Sequence, residues 1–175
     1  MYGQTLILDA FWVDNKFFPT ELSPDSKEGK IFRNFYSGEA DHIGWMDIVL
    51  LNEIIAKHNI SDIILQNLGT LGQIAKKIGC IPVCISYTYK RHFITHSVQN
   101  ENEIKHCEPV YKTPVFGGWD FSEEDTHLHK RALHYMKFLL KRTRVNSITC
   151  INNKIKVTVS FNSIGEIVVE TEPNL

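Results

Sequence analysis

Leu6 to Val13 form an apolar run closed by Asp14-Asn15-Lys16, a pattern that predicts a strand followed by a turn. Between Pro19 and Gly44 periodicity is lost, and Pro24, Gly29 and Gly38 are scattered among charges. This stretch predicts a long loop, which in a compact domain carries function or the remnant of one. From Gly44 the apolar residues recur at helical spacing, with Trp45, Ile48, Val49, Leu51, Ile55 and Ala56 on neighbouring faces. Asp47 suits the positive first turn, Lys57 and His58 suit the negative last turn, and Asn59 suits a left-handed cap. Ile60 to Leu65 then predicts a buried strand, and a helix feeding a strand points to a parallel α/β unit.

Further along, Leu71 to Ile78 predicts a short amphipathic helix. Ile81 to Tyr89 and Arg91 to Val98 alternate as two strands of a hairpin turning at Lys90 and Arg91, Gln99 to Lys105 is a polar loop, and Cys107 to Lys112 is another strand. Pro114 to Trp119 predicts a rigid connecting loop, and Ser122-Glu123-Glu124-Asp125 a capping box opening a helix that runs to about Arg142. Leu128, Leu133, Met136, Leu139 and Leu140 form its inward stripe. Val145 to Ile151, Lys154 to Phe161 and Glu166 to Glu170 end the sequence as strands, separated by turns at Asn152-Asn153 and at Asn162 to Gly165. The fold class is therefore α/β (mixed α+β), a central mixed sheet with flanking helices, in one domain over residues 1–175.

Composition narrows the function classes. At 175 residues, 43% hydrophobic and 22% charged, the chain can bury a core without metal or disulfide staples. Lys plus Arg is 19 against 20 for Asp plus Glu, a net charge of -1, so no global field holds a polyanion or an anionic membrane. No apolar run approaches the ~20 residues of a membrane-spanning helix, and Met1 to Asp9 has no basic start or secretory apolar stretch, which predicts a cytoplasmic protein. Cys80, Cys84, Cys107 and Cys150 form no CxxC pair and predict buried free thiols rather than a metal site.

Candidate chemistry is sparse. No GxxxxGK[ST], GxGxxG or GxSxG motif occurs. His127 and His129 would point about 200° apart on a helix, His92 and His96 have no carboxylate company, and His106, Cys107 and Glu108 would alternate across a strand. No catalytic, nucleotide-binding or metal-ligating residue is predicted from these patterns. The single charge cluster is the helix face Lys130, Arg131, Lys137, Lys141 and Arg142, followed by Arg144. It reads as a solvated face or as an interaction face for an acidic partner or RNA, and without interleaved exposed aromatics the sequence gives a nucleic acid little support.

Five segments carry a resemblance: Phe18-Pro19-Thr20-Glu21-Leu22, Gly44-Trp45-Met46-Asp47, Ile85 to Lys90, Glu108 to Thr113 followed by Gly118-Trp119, and Ala132 to Val145. In that order they resemble the later half of the adenylosuccinate synthetases, whose motifs there include Gly-Pro-Phe-Pro-Thr-Glu, Gly-Trp-hydrophobic-Asp and Glu-Pro-x-Tyr before Pro-Gly-Trp. That family joins IMP and aspartate using GTP and magnesium. The resemblance implies that its Gly-Asp-Glu-Gly-Lys-Gly phosphate loop and catalytic Asp and His have no counterpart in this sequence.

Three ligand-contacting elements of the family depart from pattern. The aspartate-binding loop, Thr-Thr-Gly-Arg with further arginines, aligns with Tyr36 to Ile43, which holds Glu39, Asp41 and His42 instead of guanidinium forks. The guanine-reading Thr-Lys-Leu-Asp aligns with Gln66-Asn67-Leu68-Gly69, so glycine replaces the carboxylate, and the closing Ser-Thr-Gly-Pro aligns near Ile151 to Lys154. Trp45, Tyr87, Tyr111 and Trp119 look like retained scaffold. The expectation is a catalytically inactive relative reused as a non-enzymatic binding or structural protein, with no cofactor and with a protein partner or self-association covering exposed surface. The alternatives are a truncated synthetase, which would need GTP and Mg2+, and a purine-nucleotide sensor. The excess of Ile, Asn and Lys over Arg fits an AT-rich genome such as a virus's.

Overall fold

The computed structural model describes residues 3–39, 41–89 and 107–175. Its main sheet has five strands in the order β1 (Gln4–Asp9), β4 (Ile60–Gln66), β7 (Ser147–Ile151), β8 (Ile155–Phe161) and β9 (Ile167–Pro173). β1, β4 and β7 run parallel, with Leu6 opposite Ile63 and Leu65 opposite Cys150, and β8 and β9 add antiparallel. This is the mixed sheet predicted from the sequence. Two ribbons flank it: β2 (Trp12–Asp14) with β3 (His42–Gly44), and β5 (Cys80–Tyr89) with β6 (Cys107–Phe116). The helices are α1 (Lys27–Phe35), α2 (Ile48–His58), α3 (Leu68–Ile78) and α4 (Lys130–Arg142).

Period-2 burial sets the register of the central strands: Ile155, Val157 and Val159 of β8 turn inward and meet Ile148, Ile63, Leu139 and Leu140 in one apolar cluster. α2 forms as its sequence dictates. The Asp47 carboxylate accepts from the Leu50 amide at 3.1 Å, and Asn59 closes the helix at φ 51°. α3 packs so tightly that glycine is required. A Cβ on Gly72 would lie 2.3 Å from the Trp119 carbonyl oxygen, and one on Gly118 would lie 2.2 Å from that of Gly72. The Trp119 indole donates to the Leu68 carbonyl at 2.9 Å, fixing residues 118–119 across the helix.

Four sequence expectations are corrected. The run Leu6 to Val13 is two strands, because Ala10 and Phe11 leave the ladder to enter the core; the Tyr135 hydroxyl takes the Ala10 carbonyl at 2.5 Å and Phe32 meets Phe11 edge-on at 5.2 Å. The predicted loop Pro19 to Gly44 contains α1, capped by the Ser26 hydroxyl accepting from Gly29 at 3.0 Å. Pro114 to Phe116 extend β6 instead of forming a loop. Ser122 to Asp125 form a turn, in which the Ser122 amide donates to the Asp125 carboxylate at 2.8 Å, and α4 starts only at Lys130 with His129 as its cap. The predicted strand Arg91 to Val98 lies outside the described residues; the observed partner of β5 is β6. No helix among the described residues is long and apolar enough to cross a membrane.

Candidate functional site

In open parallel sheets, ligands sit outside the carboxyl ends of the strands, and there this chain has a cleft of about 730 Å³. Gln66 and Asn67 leave β4 into it, Cys150 and Ile151 bring the end of β7, and Asp120 to Glu123 form the opposite wall. Gln66 to Gly69, which the resemblance sets against the family's guanine-reading element, and Ile151, the first residue of the segment it sets near the closing element, thus line one cavity.

Asn67 is held in the left-handed region at φ 59° and donates its side-chain amide to Asp9 at the end of β1, 2.6 Å away. Burial pushes the Asp9 carboxyl above the usual carboxylate range, opposed by that hydrogen bond. Gly69 lies beneath the opposite wall: a Cβ there would be 2.3 Å from the Phe121 carbonyl oxygen. Asp120 is pinned by Gln73 at 2.6 Å and Lys76 at 2.5 Å, hydrogen bonds that hold its carboxyl below the usual range. The described lining contains the carboxylates Asp120 and Glu123, the amides of Gln66, Asn67 and Gln73, and the rings of Phe35 and Phe121, but no Lys, Arg or His. Such a wall can stack on a ring and exchange hydrogen bonds with it. It has no cation to meet a polyphosphate.

The loop aligned with the aspartate-binding element is also short of cations. His42 Nδ1 lies 2.6 Å from the Glu21 carboxylate, and Arg33, the neighbouring guanidinium, donates to the Asp41 backbone carbonyl at 3.2 Å. Glu39 and Asp41 are exposed.

The aligned residues that keep the family's type fall instead into a buried knot. Asp47, with no exposed surface, accepts from the hydroxyls of Tyr87 and of Thr20, the latter at 3.2 Å. Burial pushes the Asp47 carboxyl up, against these hydrogen bonds; burial and the Asp47 charge push the Tyr87 hydroxyl up, and the Cys84 thiol up to about 12. Trp45, Tyr87 and Trp119 are buried as scaffold residues should be, whereas Tyr111 is 39% exposed.

The basic face lies apart from the cleft on α4. Lys130, Arg131 and Lys141 are exposed and Lys137 and Arg142 half-buried; Arg131 donates to the Gly118 carbonyl at 3.0 Å, and Arg142 lies 3.8 Å from the centre of the Phe138 ring. Asp120 and Phe121 carry no sequence signal because their wall is placed by contacts of residues 119–121 with Gly69 and Gly72, residues without side chains, and Phe35 carries none because it lies on α1. Among the described residues no three His, Cys, Asp or Glu side chains group as metal ligands.

The family model for adenylosuccinate synthetase matches residues 14–167. The chain belongs to the adenylosuccinate synthetase family. A relative, the adenylosuccinate synthetase of Clostridium kluyveri, is 27% identical over 153 residues, covering 80% of this chain and 34% of the relative. That of Malacoplasma penetrans is 31% identical over 123 residues, covering 70% and 26%. The fold resembles the fully ligated adenylosuccinate synthetase from Plasmodium falciparum with a TM-score of 0.61 at 21% identity, over 81% of this chain and 36% of that one. This chain thus spans about a third or less of the length of these relatives.

Proposed function

We propose that this family member does not carry out the ligase reaction named by its relatives and acts instead as a binding protein. The observation that carries the reading is Gly69. At the position aligned with the carboxylate that would accept from guanine there is no side chain, and the Phe121 carbonyl oxygen, 2.3 Å from any Cβ added there, takes its place. Two further features support it. The cleft lining has no Lys, Arg or His, and the neighbouring Lys76 is already held by Asp120, so a triphosphate finds no free cation where it needs charge-assisted hydrogen bonds. The loop aligned with the aspartate site presents Glu39, Asp41 and a His42 already paired with Glu21, so a dicarboxylate finds no guanidinium fork. Meanwhile the Asp47, Thr20 and Tyr87 knot keeps the scaffold intact. Fold retained with ligand chemistry lost is the pattern of a domain kept for its shape.

Self-association belongs to the same proposal: β1 is an edge of the main sheet among the described residues, with Ile7 60% exposed on it. The test is incubation of the purified chain with IMP, aspartate, GTP and Mg2+, following adenylosuccinate by absorbance. No product above the protein-free control is the result expected, and product formed in proportion to protein refutes inactivity.

A second reading, purine binding without turnover, is favoured by one feature, the cavity that Gln66 to Gly69 and Ile151 line. Calorimetric titration with GTP, GDP and IMP separates the two: saturable heat supports a sensor, and none supports the first reading.

A further inference from the structure

α4 holds five Lys and Arg residues and no carboxylate in 13 residues, within a chain whose net charge is -1. None of the five forms an ion pair among the described residues, although four ion pairs involve other residues. Arg131 and Arg142 are engaged with a carbonyl and a ring, so the uncommitted charges are Lys130, Lys137 and Lys141. These fall at i, i+7 and i+11 with the exposed His134 at i+4, one stripe along the helix, about 16 Å long at 1.5 Å per residue.

Beside the start of this stripe stands an aromatic ring with nothing over most of it. Phe116, at the end of β6, is 72% exposed, and with Pro114, Lys130, Arg131 and His134 it lines a concavity of about 360 Å³. α4 itself interleaves no exposed aromatic with its cations, since Tyr135 is buried and Phe138 half-buried under Arg142. Phe116, contributed by a different element, supplies one. Cations in one stripe beside an exposed ring are the two parts of a single-strand platform, in which phosphates follow the charges and a base stacks on the ring. A duplex offers no free base face, and an acidic peptide has no systematic use for the ring.

We propose that the outward face of α4 and Phe116 together bind single-stranded nucleic acid, RNA or DNA, independently of the cleft and of whether the chain is an active enzyme. The phosphate backbone lies along Lys130, Lys137 and Lys141, and one base stacks on Phe116.

The test is fluorescence anisotropy of the full chain with labelled single-stranded oligouridylate, the matching oligothymidylate and a duplex of mixed sequence. Three phosphate contacts to a single strand predict that affinity falls about twentyfold between 50 and 200 mM salt. Phe116→Ala is expected to weaken binding about tenfold, the loss of one stacked base, and Lys130→Glu with Lys141→Glu to abolish it. These three side chains are exposed, so an unchanged thermal melt shows that the variants remain folded. Comparable affinity for RNA and DNA leaves the shared chemistry as stated, and a preference for one names the source. The proposal is overturned by no anisotropy change at 50 mM salt, by equal affinity for the duplex, or by binding that Phe116→Ala leaves unchanged and polyglutamate competes away. The last outcome would make α4 a dock for an acidic protein.

Discussion

The Tyr87 hydroxyl donates to the buried carboxylate of Asp47, joining β5 to the cap of α2. Thr20 donates to the same carboxylate from outside both elements, so three segments distant in sequence depend on one side chain.

Removing that side chain should therefore cost more than a cap. Asp47→Ala loses the acceptor for the α2 amide and leaves two hydroxyls without their partner, a loss of about 3 kcal/mol read from urea unfolding midpoints. Burial is also the larger influence on the acidity of Asp47, holding its pKa above the unfolded value of 3.8. The unfolded chain then releases this proton at lower pH than the folded one. The Asp47 contribution to stability is full below the unfolded value and is lost as pH rises through the folded one. Asp47→Asn keeps the cap acceptor and removes the titration. The stability difference between Asp47→Asn and the natural chain should shift in favour of the variant as pH rises from 3 to 7, and a difference independent of pH would refute the assignment.

The contact of Gly72 with Trp119 sets the wall of the cleft. A methyl group at position 72 has to displace a backbone carbonyl 2.3 Å away. Gly72→Ala should cost about 3 kcal/mol despite the helical preference for alanine, at the upper end of overpacking penalties. A melting temperature equal to that of the natural chain would mean that residues 118–121 do not cross α3 at this distance.

The four thiols should divide into one accessible and three protected. Cys84, Cys107 and Cys150 are buried and Cys80 is half-buried; burial also raises Cys84 and Cys150 to about 12, which keeps them as unreactive thiols. A disulfide reagent at pH 8 should label one thiol per chain rapidly, identified as Cys80 by mass spectrometry, and the other three only in denaturant.

The edge of β1, unpaired among the described residues, makes oligomeric state a test of the binding-protein reading. Light scattering should give a dimer or larger species, and Ile7→Lys, a charge placed on an exposed edge residue, should shift it toward monomer. A natural chain that is monomeric at high concentration contradicts self-association.

Elements defined by local signals were legible in the sequence. α2 has its cap, its stripe and its left-handed stop within a dozen residues, and β8 alternates strictly. α1 was not legible because its buried face is little more than Gly29 and Phe32, too few positions to make a period. Phe32 becomes a core residue only through Phe11 and Trp45, which are remote in sequence. The break at Ala10 and Phe11 has the same origin, since the Tyr135 hydroxyl that takes the Ala10 carbonyl comes from a helix 125 residues later. Two segments that line the cleft, Gln66 to Gly69 and Ile151, stand out in the sequence only through the family resemblance, as positions without the family's ligand chemistry. The third wall was hidden by its dependence on glycines, and Phe116 was hidden by an apparent loop signal in Pro114, Gly117 and Gly118 that proved to be the end of a strand.

The claim that the cleft has lost its nucleotide chemistry is tested most directly by calorimetric titration of GTP with Mg2+ into the natural chain and into Gly69→Asp. The prediction is no saturable heat for either, with a lower melting temperature for Gly69→Asp, because the Phe121 carbonyl oxygen occupies the space the restored side chain needs. Saturable GTP binding by the natural chain, or binding gained by Gly69→Asp without loss of stability, would contradict it.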